Sequence, residues 1–399
     1  MAPSVDLTRP LARSRVATGG VFTAFGIVIG TWSSRLPAVA EHVDAGHAEL
    51  GAALMCLAAG CICGMVAVGR ALERFGAAVL MPLLIAALGL VLPLTVVVPT
   101  LPVLCAVLVL LGFIQGTCNV TMNAHGSMVQ RASRRPIMAG LHALFSIGGF
   151  VGAGVGAVVA GVGGGAFVTF AVAAVVAVAA AAAAWTWRYQ PDELGSSERA
   201  GVPRERGAGG TRTGKPPGWA VPRTLLLGLL ALIGMMVEGA VGDWGAVYLR
   251  DAVGATASIA ALAYSVFAVA MTLARLVADR VGERLGSVAV VRWSGFVAML
   301  SLVLAVSVPS PVMALLGFAC LGVGLAAITP TVFGAAGETG QSMSVVVGLG
   351  YVGFLVGPAV IGFTSAGVGL RFALLVPATL LLVVVVGADA LRAPRSLNA

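Results

Sequence analysis

Twelve apolar runs, each about 20 residues long, dominate this chain of 399 residues. A helix of about 20 apolar residues is long enough to cross the hydrocarbon core of a bilayer. Charged residues make up 10% of the chain, against about 25% in a typical soluble domain. The sequence therefore predicts an all-α membrane protein with little mass outside the bilayer. Its twelve transmembrane helices are expected at 16–38, 49–69, 77–98, 101–123, 136–160, 165–187, 223–249, 256–278, 286–308, 311–334, 342–364 and 368–391.

Basic residues are concentrated on one side of the predicted membrane. All but three of the 24 Lys and Arg residues fall in the terminal segments or in the loops that share their side; the exceptions are Arg35, Arg250 and Arg371. Loops rich in Lys and Arg stay in the cytoplasm. We therefore expect a multi-pass protein of the bacterial cell membrane with both termini cytoplasmic. The net charge of +8 then reflects topology and requires no nucleic-acid partner.

The two halves of the sequence repeat each other. Residues 1–187 and 223–399 hold six predicted helices each, and the polar segment 188–222 has the composition of a flexible linker. A short acidic, basic and glycine pattern follows the second helix and returns 206 residues later, after the eighth. Its residues are Gly69, Glu73, Arg74 and Gly76 in the first copy, and Asp279, Arg280 and Gly282 in the second. Two parallel six-helix halves are typical of major facilitator transporters, and the pattern resembles the gating-loop signature of that superfamily.

Five longer motifs narrow the resemblance. They are GTWSSRLP (30–37), NVTMN (119–123), HALFSIGG (142–149), EGAVGDW (238–244) and GYVGFLVGP (350–358). Together they resemble the MosC/YbjJ-like branch of the major facilitator superfamily, over nearly the whole chain. The resemblance implies the two-half major facilitator fold and transport of a small solute, and it leaves the solute undetermined.

The seventh predicted helix carries two acids, Glu238 and Asp243. A carboxyl group within hydrocarbon is costly, so it is usually retained for a partner, a proton or a ligand. Burial favours the neutral form, which suits such a group to exchanging a proton. We expect proton coupling or solute contact at Glu238, and we include Asp243, which lies nearer the outer surface. The alternative is a structural carboxyl group that a neighbouring side chain neutralises.

Polar side chains on the fourth and fifth predicted helices are candidates for solute binding. Gln115, Asn119 and Asn123 are spaced by four and share one helix face. An amide stripe cannot face lipid, because each amide needs partners; it could line a polar cavity or bind helices together. His142 and Ser146 share a face of the fifth helix and could join Asn123 in one patch, or His142 could be a packing group.

Further candidates lie within the motifs that carry the resemblance. Trp32, Arg35, Trp244 and Tyr351 are taken as possible contacts of the solute. Arg35, at the predicted outer end of the first helix, could pair with Asp243, hold a substrate anion or extend to the membrane interface.

These observations predict a secondary active transporter that works by alternating access. The expected cargo is a small polar solute, sugar-like or cyclitol-like, moved with protons across the bilayer by a monomer. Two alternatives remain open: a proton antiporter that exports a natural product or drug, and a membrane sensor or assembly partner that transports nothing. The sequence contains no nucleotide-binding loop, metal-ligand spacing or nucleophile motif, so we expect no enzymatic activity, metal or cofactor.

Overall fold

The computed structural model describes residues 8–133, 137–187, 220–338 and 343–392. Within these ranges, twelve helical stretches are long and apolar enough to cross a membrane. This confirms the predicted all-α fold. Every predicted helix overlaps one of these stretches, although some of the stretches extend further, as Leu101–Ser133 does beyond the predicted 101–123. Residues 188–219, most of the predicted linker, lie outside the described part of the chain.

The helices follow one another through short connections. The first half contains α1 (Thr8–His42), α2 (His47–Phe75), α3 (Ala77–Val91), α4 (Leu101–Ser133), α5 (Met138–Gly161) and α6 (Ala166–Thr186). The second half contains α7 (Ala220–Val247), α8 (Ala257–Leu285), α9 (Ser287–Ser307), α10 (Pro311–Leu325), α11 (Ile328–Glu338), α12 (Met343–Val368), α13 (Leu370–Ala373) and α14 (Leu375–Gly387). The tenth span joins α10 and α11, and the twelfth runs from α13 through α14 to a final 3₁₀ turn.

A π-helical segment, Tyr248–Ala252, extends α7. Its wider turn shows in the backbone hydrogen bond from Val253 N–H to the Tyr248 carbonyl at 3.2 Å, and the segment closes with a bond from Ala255 N–H to the Leu249 carbonyl at 2.8 Å. Thr256 then caps α8 by accepting the N–H of Ile259. Arg250 and Asp251 both lie in this π-helical segment.

Apart from Gly76, the predicted gating-loop residues are helical and do not form a loop. α2 continues through Gly69 to Phe75, and α8 continues through Gly282 to Leu285. The chain turns instead at Gly76 (φ 75°, ψ 153°) and Gly286 (φ 79°, ψ 153°), a backbone conformation that is essentially confined to glycine.

The structural counterpart of Gly76 is therefore Gly286, 210 residues later, and not Gly282 at 206. Glu283 and Arg284 accordingly take the places of Glu73 and Arg74, and the assignment of Asp279, Arg280 and Gly282 was wrong by one helical turn. The sequence favours the 206-residue spacing because Asp279 and Arg280 have the same order of acid and base as Glu73 and Arg74.

Packing inside each half supports the revised register. Gly112 of α4 lies against the backbone of α2 at Leu57 and Cys61, and Gly322 of α10 lies against the backbone of α8 at Phe267 and Met271. All three positions differ by 210. The two halves thus repeat in their helix contacts as well as in sequence.

The described residues form two compact units. The first contains residues up to Trp32, Cys56–Val155 and those from Gly163 to 187; the second contains Ser33–Met55, Gly156–Val162 and the residues from 220 onward. In the first unit α1 packs on α5, α2 on α4 and α3 on α6. In the second, α7 packs on α12, α8 on α10 and α9 on α14, and the ends of α1, α2 and α5 join them.

Candidate functional site

Glu238 lies near the middle of the seventh span, Pro222–Ala252, and faces Arg275 of α8. The Arg275 guanidinium Nη2 is 3.7 Å from the Glu238 Oε2, and the side chains are 40% and 28% exposed, respectively. Charged groups within membrane spans face the interior of the bundle or a water-filled cavity. This pair is therefore a polar site within the membrane, formed entirely inside the second unit.

Arg275 was not expected as a site residue from the sequence, although it falls within the predicted eighth helix, 256–278. Its position is three residues from the end of the eighth span, Ala257–Ala278. Arginine at such a position ordinarily extends toward the nearer interface. Here the guanidinium reaches toward the middle of the membrane instead, because α8 continues as a helix and brings the side chain beside α7.

Asp243 and Tyr264 extend the polar site along the same two helices. The Tyr264 ring lies against Gly242, where an added Cβ would be 3.9 Å from its Cε2. Glu238, Asp243 and Arg275 all lie close enough to interact electrostatically with the Tyr264 hydroxyl. Asp243 is half-buried and has interactions of its own. Tyr264 could not be recognised from sequence, because one tyrosine in an apolar helix carries no pattern.

The amides of α4 interact with one another. The Asn123 Nδ2 donates to the Asn119 carbonyl oxygen at 2.8 Å and to the Asn119 Oδ1 at 3.1 Å. Gln115, Asn119 and Asn123 are all half-buried, in contrast to the fully buried Cys118 and Met122. The stripe thus forms a partly accessible polar surface within the first unit, as a solute-binding surface requires; its role remains a prediction.

The candidates on α5 and α12 are more exposed. The His142 ring meets the Phe22 ring edge-on at 5.5 Å, and the Ser146 hydroxyl donates to the His142 carbonyl oxygen at 3.2 Å. Tyr351 of α12 is 37% exposed. None of these geometries assigns a solute contact, so the three residues remain predicted ones.

Arg35 is buried within the protein, with 6% exposure. α1 continues beyond it to His42, and the side chain packs with Ser34 beside Gly156 of α5. Of the three roles left open for Arg35, this burial does not favour extension to the interface, and the other two stay predictions. A buried guanidinium must be satisfied by neighbouring groups.

Trp32 belongs to the first unit and is almost fully buried. Its ring stacks on Phe170 with 6.5 Å between centroids. The indole Nε1 has no hydrogen-bond partner among the described residues. A buried N–H of this kind can be satisfied by water or by a ligand, so Trp32 keeps its place among the predicted solute contacts.

Five residues of the second unit meet near the 43–46 and 253–256 connections; we call Glu41, His47, Trp244, Arg250 and Asp251 the end cluster. Arg250 Nε lies 3.3 Å from Glu41 Oε1, and His47 Nε2 lies 2.9 Å from Asp251 Oδ2. The His47 ring also meets the Trp244 ring edge-on at 5.9 Å.

Trp244 is fully buried within this cluster, and its Nε1 donates to the Pro358 carbonyl oxygen at 2.7 Å. In this conformation it anchors α7 to α12 and presents no surface to a solute. The close contact of Gly51 in α2 with Gly362 in α12 lies beside it. These contacts pack the ends of α1 and α2 tightly against second-half helices inside this unit.

His125, to which the sequence analysis gave no role, is fully buried within α4. The Thr18 hydroxyl donates to the Ser14 carbonyl oxygen at 2.7 Å, so it accepts from His125 Nδ1 at 2.9 Å. The other ring nitrogen, Nε2, has no partner among the described residues. His125 thus links α4 to α1 through Thr18 as a packing group.

Comparison with known proteins adds to this geometry. The family model for the Major Facilitator Superfamily matches residues 16–339. The chain is 33% identical over 370 residues to the uncharacterised transporter y4wD of Sinorhizobium fredii, covering 89% of this chain and 92% of that protein. It is 30% identical over 364 residues to the membrane protein MosC of Rhizobium meliloti, covering 88% and 83%. These matches confirm the resemblance stated from the motifs.

A solved structure shares the fold. The D-xylose–proton symporter superposes with a TM-score of 0.71 at 15% identity, covering 95% of this chain and 97% of that one. At this identity the likeness establishes the architecture alone.

Proposed function

Because the chain belongs to the major facilitator superfamily of transporters, we propose that it moves a small polar solute across the cell membrane by proton-coupled alternating access. The observation that carries the proposal is the Glu238–Arg275 pair inside the membrane. A carboxylate held beside a guanidinium at mid-span is a group that can take up and release a proton during the cycle.

The coupling follows from what each protonation state of Glu238 does. The deprotonated carboxylate attracts the Arg275 guanidinium, with 3.7 Å between Glu238 Oε2 and Arg275 Nη2, and so links α7 to α8. Protonation removes that attraction, so the two side chains can separate and the helices can change their contacts. Proton uptake on one side and release on the other would then drive the solute, with Tyr264 and Asp243 shaping the field around Glu238.

The polar character of the solute is supported by the α4 amides. Asn119 and Asn123 can donate to and accept from hydroxyl groups, whereas a lipophilic cargo would leave them unsatisfied. The structural neighbour named as a D-xylose–proton symporter also handles a polyhydroxy solute with protons. We therefore propose a sugar-like or cyclitol-like cargo.

The end cluster supports alternating access, and the distribution of basic residues indicates on which side of the membrane it lies. With both termini in the cytoplasm, as the basic residues indicate, the end cluster lies on the outer side. Its Arg250–Glu41 ion pair, its His47–Asp251 hydrogen bond and the Gly51–Gly362 contact would close the outer side in this conformation and separate when that side opens.

A two-stage experiment tests the proposal. Purified protein is screened by thermal denaturation against sugars, cyclitols, nucleosides and sugar acids, since a ligand stabilises the state it binds. The stabilising compound then serves as the radiolabelled probe in proteoliposomes with an imposed pH gradient. Loading the probe on either side distinguishes uptake from export.

Glu238→Gln separates coupling from binding. The amide keeps the shape of the protonated carboxyl, so we expect gradient-driven accumulation to disappear while solute exchange without a gradient persists. Glu49→Gln is the matched control, because Glu49 is an exposed carboxylate that accepts the Gly46 N–H at 2.8 Å; it should behave like the wild type. Full accumulation by Glu238→Gln would rule out the coupling role.

The amide surface is tested in the same system. Asn119→Ala should weaken probe binding with near-normal membrane expression, because water can replace the lost hydrogen bonds at a half-buried position. Failure of the variant to accumulate in the membrane would instead show that the amides hold helices together.

A further inference from the structure

Arg275 has more hydrogen-bonding capacity than Glu238 uses. The guanidinium carries five N–H donors, and its ion pair with a described residue is the contact with the Glu238 carboxylate at 3.7 Å. A charge-assisted hydrogen bond is shorter, at about 2.7–2.9 Å. The side chain also retains 40% exposure. The Glu238 carboxylate therefore positions the guanidinium but does not use all of its N–H donors.

Protonation of Glu238 changes the charge balance of this pair. With a deprotonated Glu238, the carboxylate and the guanidinium cancel. Once Glu238 is neutral, Arg275 keeps its charge inside the span and loses its counter-charge, which is costly. A neutral solute would leave that cost uncompensated, whereas a solute with its own carboxylate would restore the balance.

We propose that Arg275 binds an oxyanion of the transported solute, so that the cargo is an acid, such as a sugar acid, carried together with one proton. The proposal rests on the proton role given to Glu238 above. In the empty protein Glu238 neutralises Arg275; in the loaded protein the solute carboxylate does so, and the proton sits on Glu238. One proton and one monovalent anion cross together, so both forms reorient without net charge at the pair.

Among the side chains that the structure describes around Arg275, no other charged group substitutes for such an anion. Asp243 is five residues beyond Glu238, about 7.5 Å further along α7, and has interactions of its own. The Tyr264 hydroxyl lies near all three charges, but a neutral phenol cannot balance a guanidinium. Glu238 is the carboxylate that pairs with Arg275 among the described residues.

The test uses acetate as the anionic probe and acetamide as its neutral counterpart of nearly equal size. Glu238→Gln fixes the neutral state and leaves Arg275 without its counter-charge. Acetate at a tenfold excess over its half-saturating concentration should raise the melting midpoint of this variant by roughly 2–4 °C more than acetamide does. The double variant Glu238→Gln, Arg275→Gln should show no difference between the probes, and the wild type at mildly alkaline pH should show a smaller one.

A second measurement does not depend on the folding of any variant. Phenylglyoxal modification of Arg275 is followed by peptide mass spectrometry in the wild-type protein. Toward the lower end of the pH range in which phenylglyoxal reacts with arginine, acetate should slow modification of Arg275 several-fold relative to acetamide, and this difference should shrink as the pH rises. Modification of Arg292, which pairs with Asp389 at 3.0 Å, should not depend on which probe is present.

Equal effects of acetate and acetamide in both measurements would overturn the proposal. Acetate stabilisation that survives loss of Arg275 would overturn it as well, because the anion would then bind elsewhere. The proton role of Glu238 is judged separately by gradient-driven transport. Acetate binding at Arg275 together with full accumulation by Glu238→Gln would retain the anion site and reject the coupling.

Discussion

The contact between Gly51 of α2 and Gly362 of α12 offers a direct way to shift the conformational equilibrium of the protein. A Cβ at position 362 would lie 2.5 Å from the Gly51 Cα and 2.9 Å from the His47 carbonyl oxygen. Non-bonded carbon atoms prefer about 3.5–4.0 Å, so even alanine requires the helices to separate by about 1 Å. Both obstructing atoms belong to the backbone and cannot rotate away. Gly362→Val should therefore disfavour the packed arrangement of the end cluster.

The size of the effect follows from the cost of overpacking. Inserting extra carbon atoms into a close-packed contact costs about 1–3 kcal/mol, which corresponds to a shift of roughly 5- to 150-fold in a two-state equilibrium. The separated state lacks this contact and should not be penalised. The variant should thus spend more of its time with the end cluster apart. Its free energy of unfolding should fall by less than the cost of overpacking, because the separated state does not bear that cost.

Cysteine accessibility measures the shift. Ala157, with 4% exposure, lies where its carbonyl oxygen accepts the Ser258 hydroxyl at 2.9 Å. In a background without the native cysteines, Ala157→Cys should react with a membrane-impermeant maleimide roughly 5- to 150-fold faster when combined with Gly362→Val. Gly367→Val, also in α12 but with nothing within 4 Å of its added Cβ, is the control. An unchanged rate in a folded Gly362→Val protein would refute the reasoning.

Three further predictions follow from the structure. Gly76→Ala should lower the free energy of unfolding by about 1–3 kcal/mol, because Gly76 has a φ of 75°. Gly282→Ala lies inside α8 with open space around it, so it should be neutral or stabilising by about 0.5–1 kcal/mol. Thermal denaturation in detergent compares the two variants. Trp244→Phe should cost about 1–3 kcal/mol, since the buried Pro358 carbonyl loses its 2.7 Å donor, and an unchanged melting midpoint would show that the bond contributes nothing. A cysteine at Ala45 should react with impermeant maleimide in intact cells, and one at Ser196 only after the membrane is opened; the reverse pattern would invert the proposed orientation.

Helix number and the two-half plan were predictable because membrane spans are set by the length of apolar runs. Boundaries were less predictable, since polar residues can continue a helix past the hydrocarbon, as α4 does to Ser133 and α8 to Leu285. That extension explains the wrong register of the gating-loop repeat. The turn depends on the backbone conformation of Gly76 and Gly286, which the charged residues around them do not reveal.

Of the residues in the candidate site, only the acidic ones were predictable from the sequence. Glu238 stands out because a carboxyl group in an apolar run is rare, but Arg275 is one of many arginines near a span end. Its pairing depends on how α7 and α8 lie together and on which way a long side chain extends. Trp244 likewise belongs to a motif that suggested solute contact, and its burial depends on α12, more than a hundred residues away in sequence.

The π-helical segment 248–252 connects the Arg250–Glu41 and His47–Asp251 contacts of the end cluster through the backbone. A π-helical turn holds one residue more than an α-helical turn, with bonds from i to i+5, and both Arg250 and Asp251 lie in it. If the segment returned to α-helical bonding, the register of the following residues would rotate by about 100° around the helix axis. We infer that one shift of backbone hydrogen bonds would withdraw Arg250 from Glu41 and Asp251 from His47 in the same step. The Arg250–Glu41 and His47–Asp251 contacts would then break and form together, because one change in the backbone of this segment moves both Arg250 and Asp251.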